Sequence, residues 1–151
     1  MQPLEDNIQL EQVSALLSGS IELSEEQINR IKKCRTYLDE KAKSKEVFYG
    51  INTGFGSLCD VVVQAEELED LQTNLVLSHA CGVGELVPDE IIKLMLLLKI
   101  KNFTYGHSGV SMELVERLLW HYNENILPEV FEQGSLGASG DLAPLAHLSL
   151  P

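Results

Sequence analysis

Apolar residues recur at helical spacing along most of the chain, and Gly, Pro and Ser punctuate them where helices should start and stop. Leu10 to Leu17 reads as a short helix that Gly19 ends. Ser24 opens a second helix with Gln27 three residues on, the spacing of a capping box. Ile28, Ile31, Cys34 and Leu38 form its inward stripe. Val47-Phe48-Tyr49 predicts a short extended piece that enters a glycine-dense loop ending at Gly56. After Val61-Val62-Val63 a third helix is expected over about Ala65 to Cys81, with Gly82 as its C-cap. Its stripe of Leu68, Leu71, Leu75 and His79 advances one turn per step. Pro88-Asp89-Glu90 makes a good first turn for a fourth helix, which is apolar almost all round and therefore central. A fifth, from about Ser111 to Asn123, is expected to bury Leu114, Val115, Leu118, Leu119 and Tyr122. Asp141 is placed to cap a sixth, with Leu142, Ala143 and Pro144 in its first turn, where Pro is tolerated. No repeat, low-complexity tract or linker interrupts the pattern. The expectation is a mainly α fold, a single domain over residues 1–151 with short strands and glycine-rich loops.

Composition narrows the partners. A chain of 151 residues suffices for one domain burying roughly 70% of its unfolded surface. The net charge of −12, from 23 acids against 11 bases, argues against nucleic acid and anionic membranes. Seven bases fall between Arg30 and Lys45 with Asp39 and Glu40 among them, the pattern of a solvated helix face. The longest apolar stretch, Ile91 to Ile100, is short and contains Lys93 and Lys99, so it is no membrane span. Cys34, Cys59 and Cys81 are odd in number and form no Cys-x-x-Cys. With no signal-peptide pattern at the amino end, reduced thiols and a cytoplasmic setting are expected. His107 lacks a ligand spacing, and His121 with Glu124 reads as a surface i,i+3 pair, so no metal site is expected.

The densest chemistry lies in the eighteen residues from Gly134 to Pro151, around Ala138-Ser139-Gly140. A Walker loop would need a Lys, and none follows Lys101. Asp141 stands where the last Gly of a hydrolase nucleophile elbow belongs. A pyridoxal site would need a Schiff-base Lys, and Gly50, Gly54 and Gly56 are wrongly spaced for a dinucleotide turn. Two readings survive: a structural loop, or a triplet that cyclises on itself. In the second, the Gly140 nitrogen attacks the Ala138 carbonyl carbon and closes a five-membered ring through Ser139. Gly has the least shielded nitrogen and the widest dihedral range. Loss of water and then of the Ser139 hydroxyl leaves an exocyclic methylidene carbon.

This run, with Tyr49-Gly-Ile-Asn-Thr-Gly-Phe-Gly56 and Asn74-Leu-Val-Leu-Ser-His79, resembles the aromatic amino acid ammonia-lyases, most closely their histidine ammonia-lyase branch. The resemblance implies that Ala138, Ser139 and Gly140 become 4-methylidene-imidazol-5-one, with no external cofactor. It implies elimination of ammonia from L-histidine to give trans-urocanate. The substrate amine adds to the methylidene carbon derived from Ser139 while Tyr49 removes the β-proton; attack by the imidazole ring is an alternative order. A phenol titrates near ~10, so Tyr49 must have its pKa lowered or its anion stabilised. The glycines behind it suit a mobile lid. Asp141 as a cap would put the ring at the positive end of a helix, among N–H donors.

His79 matches the residue that contacts the substrate side chain, and Ser78-His79 looks like the histidine-specific pair. Relatives using tyrosine or phenylalanine typically carry His-Leu or Phe-Leu there. A polar pocket of this kind discriminates strongly between imidazole and phenyl. His147 lies within the matched run and is expected only to pack beneath the loop, and Phe131 stands where the family commonly has Pro. The substrate carboxylate calls for a bidentate Arg, and Arg30, Arg35 and Arg117 all lie outside the matched motifs. In the family that clamp comes from later in the chain and from neighbouring subunits. The resemblance therefore implies an amino-terminal part of a larger helical-bundle lyase, homotetrameric as a whole and inactive as residues 1–151 alone. The alternatives are a tyrosine or phenylalanine lyase or aminomutase, and an inactive fragment serving as an oligomerisation module.

Overall fold

The signals for helix starts act as their chemistry requires. In the computed structural model, which describes residues 1–43, 46–54, 61–63, 67–137 and 140–151, both arms of the Ser24 capping box form. Ser24 N–H donates to Gln27 Oε1 at 2.9 Å, and Gln27 N–H donates to Ser24 Oγ at 3.2 Å. Lys45, Gly56, Cys59, Ala65, Ala138 and Ser139, singled out above, lie outside the described residues.

In chain order the elements are β1 (Gln2–Pro3), α1 (Leu10–Leu17), β2 (Ile21–Glu22), α2 (Glu25–Ala42), α3 (Leu68–His79) and β3 (Val83–Leu86). They continue as α4 (Asp89–Thr104), α5 (Met112–Asn123), β4 (Phe131–Gln133), β5 (Leu136–Gly137), β6 (Gly140–Asp141) and α6 (Ala143–Leu148). The fold is mainly α, as the periodicity predicts. Its contacts gather into two units, Met1–Asp39 with Pro88–Leu127, and Glu40–Val87 with Pro128–Pro151.

The first unit is built on α4. Ile92, Leu96, Leu97 and Ile100 are at most 1% exposed, but Ile91 and Leu98 face outward at 47% and 55%, so α4 buries one side and not the whole circumference expected of it. Each such side chain contributes about 1.5–3 kcal/mol on burial. Helices α1 and α5 pack against α4, and Ile31, Phe103 and Val115 form a core cluster with Leu118 and Leu119 against it. Ser111 caps α5 by accepting Leu114 N–H at 3.2 Å. The expected α5 stripe holds except at Leu114, which is 43% exposed. Val115, Leu118, Leu119 and Tyr122 already complete an i, i+3, i+4, i+7 face, and residue 114 falls beside it.

His121 also departs from expectation. It is buried rather than on the surface, with Nδ1 2.8 Å from the Ile126 carbonyl oxygen. Residue 121 shares the inward face with 118 and 122, and its Nδ1–H ties down the chain that leaves α5. Tyr122 is fully buried, and its hydroxyl donates to the Leu16 carbonyl at 2.7 Å. Asn123 brackets Ile21, accepting its N–H at 2.8 Å and donating to its carbonyl at 3.0 Å. Lys32, Lys33 and Arg35 lie on a solvated face of α2, whereas Arg30 is drawn in by Asp6 at 2.6 Å and the Thr104 carbonyl at 3.0 Å.

In the second unit β3 pairs antiparallel with β4, Val83 opposite Gln133 and Leu86 opposite Phe131. Helix α6 packs on α3. The expected helix over Ala65 to Cys81 is shorter at its end: His79 is its last residue and Ala80 its C-cap, with Gly82 beyond. Cys81 N–H donates to the His79 carbonyl at 2.8 Å, a reversal tight enough to end the helix before the glycine. Leu68, Leu71, Leu75 and His79 share the half-buried face, as the stripe predicts. The short extended piece expected over Val47-Phe48-Tyr49 forms no strand pairing among the described residues, and a turn begins at its last residue, Tyr49. Asn52 accepts Phe48 N–H at 2.8 Å and donates to the Glu46 carbonyl at 2.8 Å, so its side chain closes the segment locally.

Candidate functional site

Ending α3 at His79 leaves its imidazole at the rim of a cleft. Nδ1 lies 2.8 Å from the Leu75 carbonyl oxygen and 3.1 Å from Ser78 Oγ. A carbonyl oxygen only accepts, so Nδ1 carries the hydrogen. In the neutral ring Nε2 is then a bare acceptor. Ser78 Oγ donates to the same Leu75 carbonyl at 3.0 Å, so its hydrogen is also directed back into the helix.

The cleft has a volume of about 350 Å³ and is lined, among the described residues, by Ser78, His79, Cys81, Ser135, Gly137, Gly140, Leu142 and Ala143. The structure thus brings three of the expected site residues, Ser78, His79 and Gly140, to one cavity. Ala138 and Ser139 lie outside the described residues, but their flanks are fixed. Gly137 pairs with Gly140 across the antiparallel β5–β6 ladder. Gly140 sits at φ +93, and a Cβ on either glycine would meet nothing within 4 Å.

Asp141 closes the far side of this hairpin. Its Oδ1 accepts Ala143 N–H at 3.1 Å, so it does serve the start of α6. The helix nevertheless begins one residue later than expected, with Leu142 at the N-cap position and Ala143 first. One of the donors expected to be free is therefore taken by Asp141. Gly134 is pressed against that carboxylate, and a Cβ there would overlap both of its oxygens.

His147 is more than packing beneath the loop. It is 8% exposed on the last turn of α6, and its Nε2 accepts Gly82 N–H at 2.9 Å. Nothing in the residue types near Gly82 signals this bond, since the donor is a backbone amide 65 positions away. Tyr49 stands apart: it lies in the turn closed by Asn52, is 64% exposed and is not among the described residues lining the cleft. The arginines serve elsewhere. Arg30 pairs with Asp6 and Glu26, Arg35 with Asp39 at 2.6 Å, and Arg117 lies 5.9 Å from the Trp120 ring centroid. Among the described residues no cluster of His, Cys, Asp and Glu could hold a metal, and no helix is long and apolar enough to cross a membrane.

Comparison with known proteins places this geometry. The model of the aromatic amino acid lyase family matches residues 8–151. The histidine ammonia-lyase of Macrococcus caseolyticus is 44% identical over 146 residues, 95% of this chain and 29% of that protein. The crystal structure of histidine ammonia-lyase from Trypanosoma cruzi superposes with a TM-score of 0.85 at 36% identity, over 98% of this chain and 28% of that one. A phenylalanine aminomutase from Pantoea agglomerans superposes at 0.90 with 30% identity, over 99% of this chain and 29% of its own. The chain spans less than a third of the length of these relatives. Matched along nearly all of its own length, it belongs to the aromatic amino acid lyase family.

Proposed function

We propose that the protein carrying this sequence is a histidine ammonia-lyase, releasing ammonia from L-histidine to give trans-urocanate. The observation that carries this reading is the shared cleft, where His79 and Ser78 meet Gly137 and Gly140. The residues present fit the cyclised triplet. Gly140 is at a positive φ, in open space, and held opposite Gly137, the conformational freedom that a ring closing through the Gly140 nitrogen calls for. When formed from Ala138, Ser139 and Gly140, 4-methylidene-imidazol-5-one supplies an electrophilic carbon within this cleft.

The protein's own side chains supply recognition and proton transfer. With its hydrogen directed to Leu75, His79 offers Nε2 as an acceptor, which suits the N–H of a substrate imidazole and has no partner on a phenyl ring. Tyr49 is the base for the β-proton. The glycines that follow it, Gly50 at φ +75 and Gly54, allow the segment to swing toward the substrate. The carboxylate clamp, a homotetrameric assembly and a cytoplasmic setting complete the proposal for the whole protein. They rest on the resemblance and on relatives more than three times as long as this chain.

A tyrosine or phenylalanine lyase or aminomutase is the second reading, favoured by the fold likeness to an aminomutase. The Ser78-His79 pair weighs against it. A side-by-side assay of L-histidine, L-tyrosine and L-phenylalanine with the natural protein decides. Histidine should be preferred, and His79→Phe should lower kcat/KM for histidine while raising relative use of phenylalanine. A preference for tyrosine in the unsubstituted protein overturns the histidine assignment.

A further inference from the structure

We infer that His147 is a positioning residue that sets His79 against Gly137 and Gly140 by holding the Gly82 amide. This rests on the functional reading above. The argument starts with the length of the link. Helix α3 ends at His79, and the chain reverses at once through the Cys81-to-His79 hydrogen bond. Gly82 is thus the first residue after the reversal at which an outside group can fix the end of α3. His147 does so with Nε2, at 2.9 Å from the Gly82 nitrogen.

The helix carrying His147 begins at Ala143, directly after the β5–β6 hairpin that flanks Ala138 and Ser139. One side chain therefore spans the two halves of the cleft, from the helix that follows the triplet to the loop that follows His79. Because an N–H can only donate, Nε2 is bare and Nδ1 carries the hydrogen. The fit around the bond is close. A Cβ on Gly82 would come 2.8 Å from His147 Nε2 and 3.1 Å from Phe131 Cβ. The Phe131 ring meets the imidazole edge-on, centroids 5.4 Å apart at 69°, and so holds its tilt. Phe131 stands where the family resemblance leads one to expect Pro, which has no aromatic ring to make that edge-on contact.

A residue that only stabilised the fold would change the amount of folded protein and leave substrate affinity alone. A positioning residue should change KM for histidine, and a side chain that restores the acceptor should rescue it. In His147→Gln the amide oxygen takes the place of Nε2; in His147→Leu the acceptor is lost at similar volume. For the natural protein, His147→Leu should raise KM for histidine about tenfold, the scale of a small misplacement in a site, with kcat less affected. His147→Gln should restore KM most of the way. Hydrogen exchange of the peptide containing Gly82 should be fast in His147→Leu and slow in the parent and in His147→Gln. If His147→Leu does not fold, Gly82→Ala carries the test, since its Cβ displaces the same imidazole and should raise KM similarly. Unchanged KM in the folded variants, or no rescue by Gln, overturns the inference. A parent protein without histidine turnover overturns the functional reading instead, and Gly82 exchange that does not respond to His147→Leu overturns the pin itself.

Discussion

At the scale of single residues, the site depends on contacts with almost no slack. Gly134 is the clearest case, because its missing Cβ is the space that the Asp141 carboxylate occupies. Gly134→Ala should push that carboxylate off Ala143 N–H and disturb the hairpin around Ala138 and Ser139. The expected outcome is a lower fraction of cyclised triplet and a proportional loss of activity, read by absorbance of the conjugated ring. Full cyclisation in Gly134→Ala would show that Asp141 can hold the helix start from elsewhere. The sequence singled out Ser78, His79 and Gly140, which the structure brings to one cleft, because they fall in compact local motifs. It did not reveal the burial of His121 or the His147–Gly82 bond. Both imidazoles meet backbone groups, and a backbone amide or carbonyl leaves no mark in residue type.

Helices were legible wherever a cap and an apolar stripe agreed, as at Ser24–Gln27 and Ser111. Where a side chain closes the backbone locally, the residue pattern says less: Asn52 accepts Phe48 N–H and donates to the Glu46 carbonyl, and the short extended piece expected at Val47–Tyr49 runs into a turn at its last residue. Tyr122 links α5 to the end of α1, and burial pushes its phenol up to about 12. Tyr122→Phe keeps the packing but removes one hydrogen bond to the Leu16 carbonyl, which retains the Gly19 N–H. The expected cost is about 1 kcal/mol in denaturant unfolding; an unchanged midpoint would mean the hydroxyl contributes nothing net.

Asp6 ties the amino-terminal segment to α2 and carries the pH dependence. Hydrogen bonds from Gln27 first, and then Arg30, hold its carboxyl below the ordinary carboxylate value. A depressed folded-state pKa adds stability above the unfolded value, and that stability fades as pH falls through the folded one. The melting-temperature difference between the parent and Asp6→Asn should therefore be largest near neutral pH and close as acid is added below the usual carboxylate range. A gap that widens in acid would contradict this.

For the whole molecule, strong acidity and a helical core were legible from composition and from the apolar run of α4, although α4 leaves Ile91 and Leu98 exposed. Completeness of the site is a separate matter. Arg30 and Arg35 are held by carboxylates and Arg117 lies against the Trp120 ring, so on the proposed reading the group that binds the substrate carboxylate comes from outside residues 1–151. The central claim is that Ala138, Ser139 and Gly140 form the electrophile, and peptide mass spectrometry of the natural protein tests it most directly. The proteolytic peptide spanning Ser139 should be two waters lighter than encoded, and Ser139→Ala should abolish both that deficit and urocanate formation. An unmodified peptide in fully active protein would contradict the account.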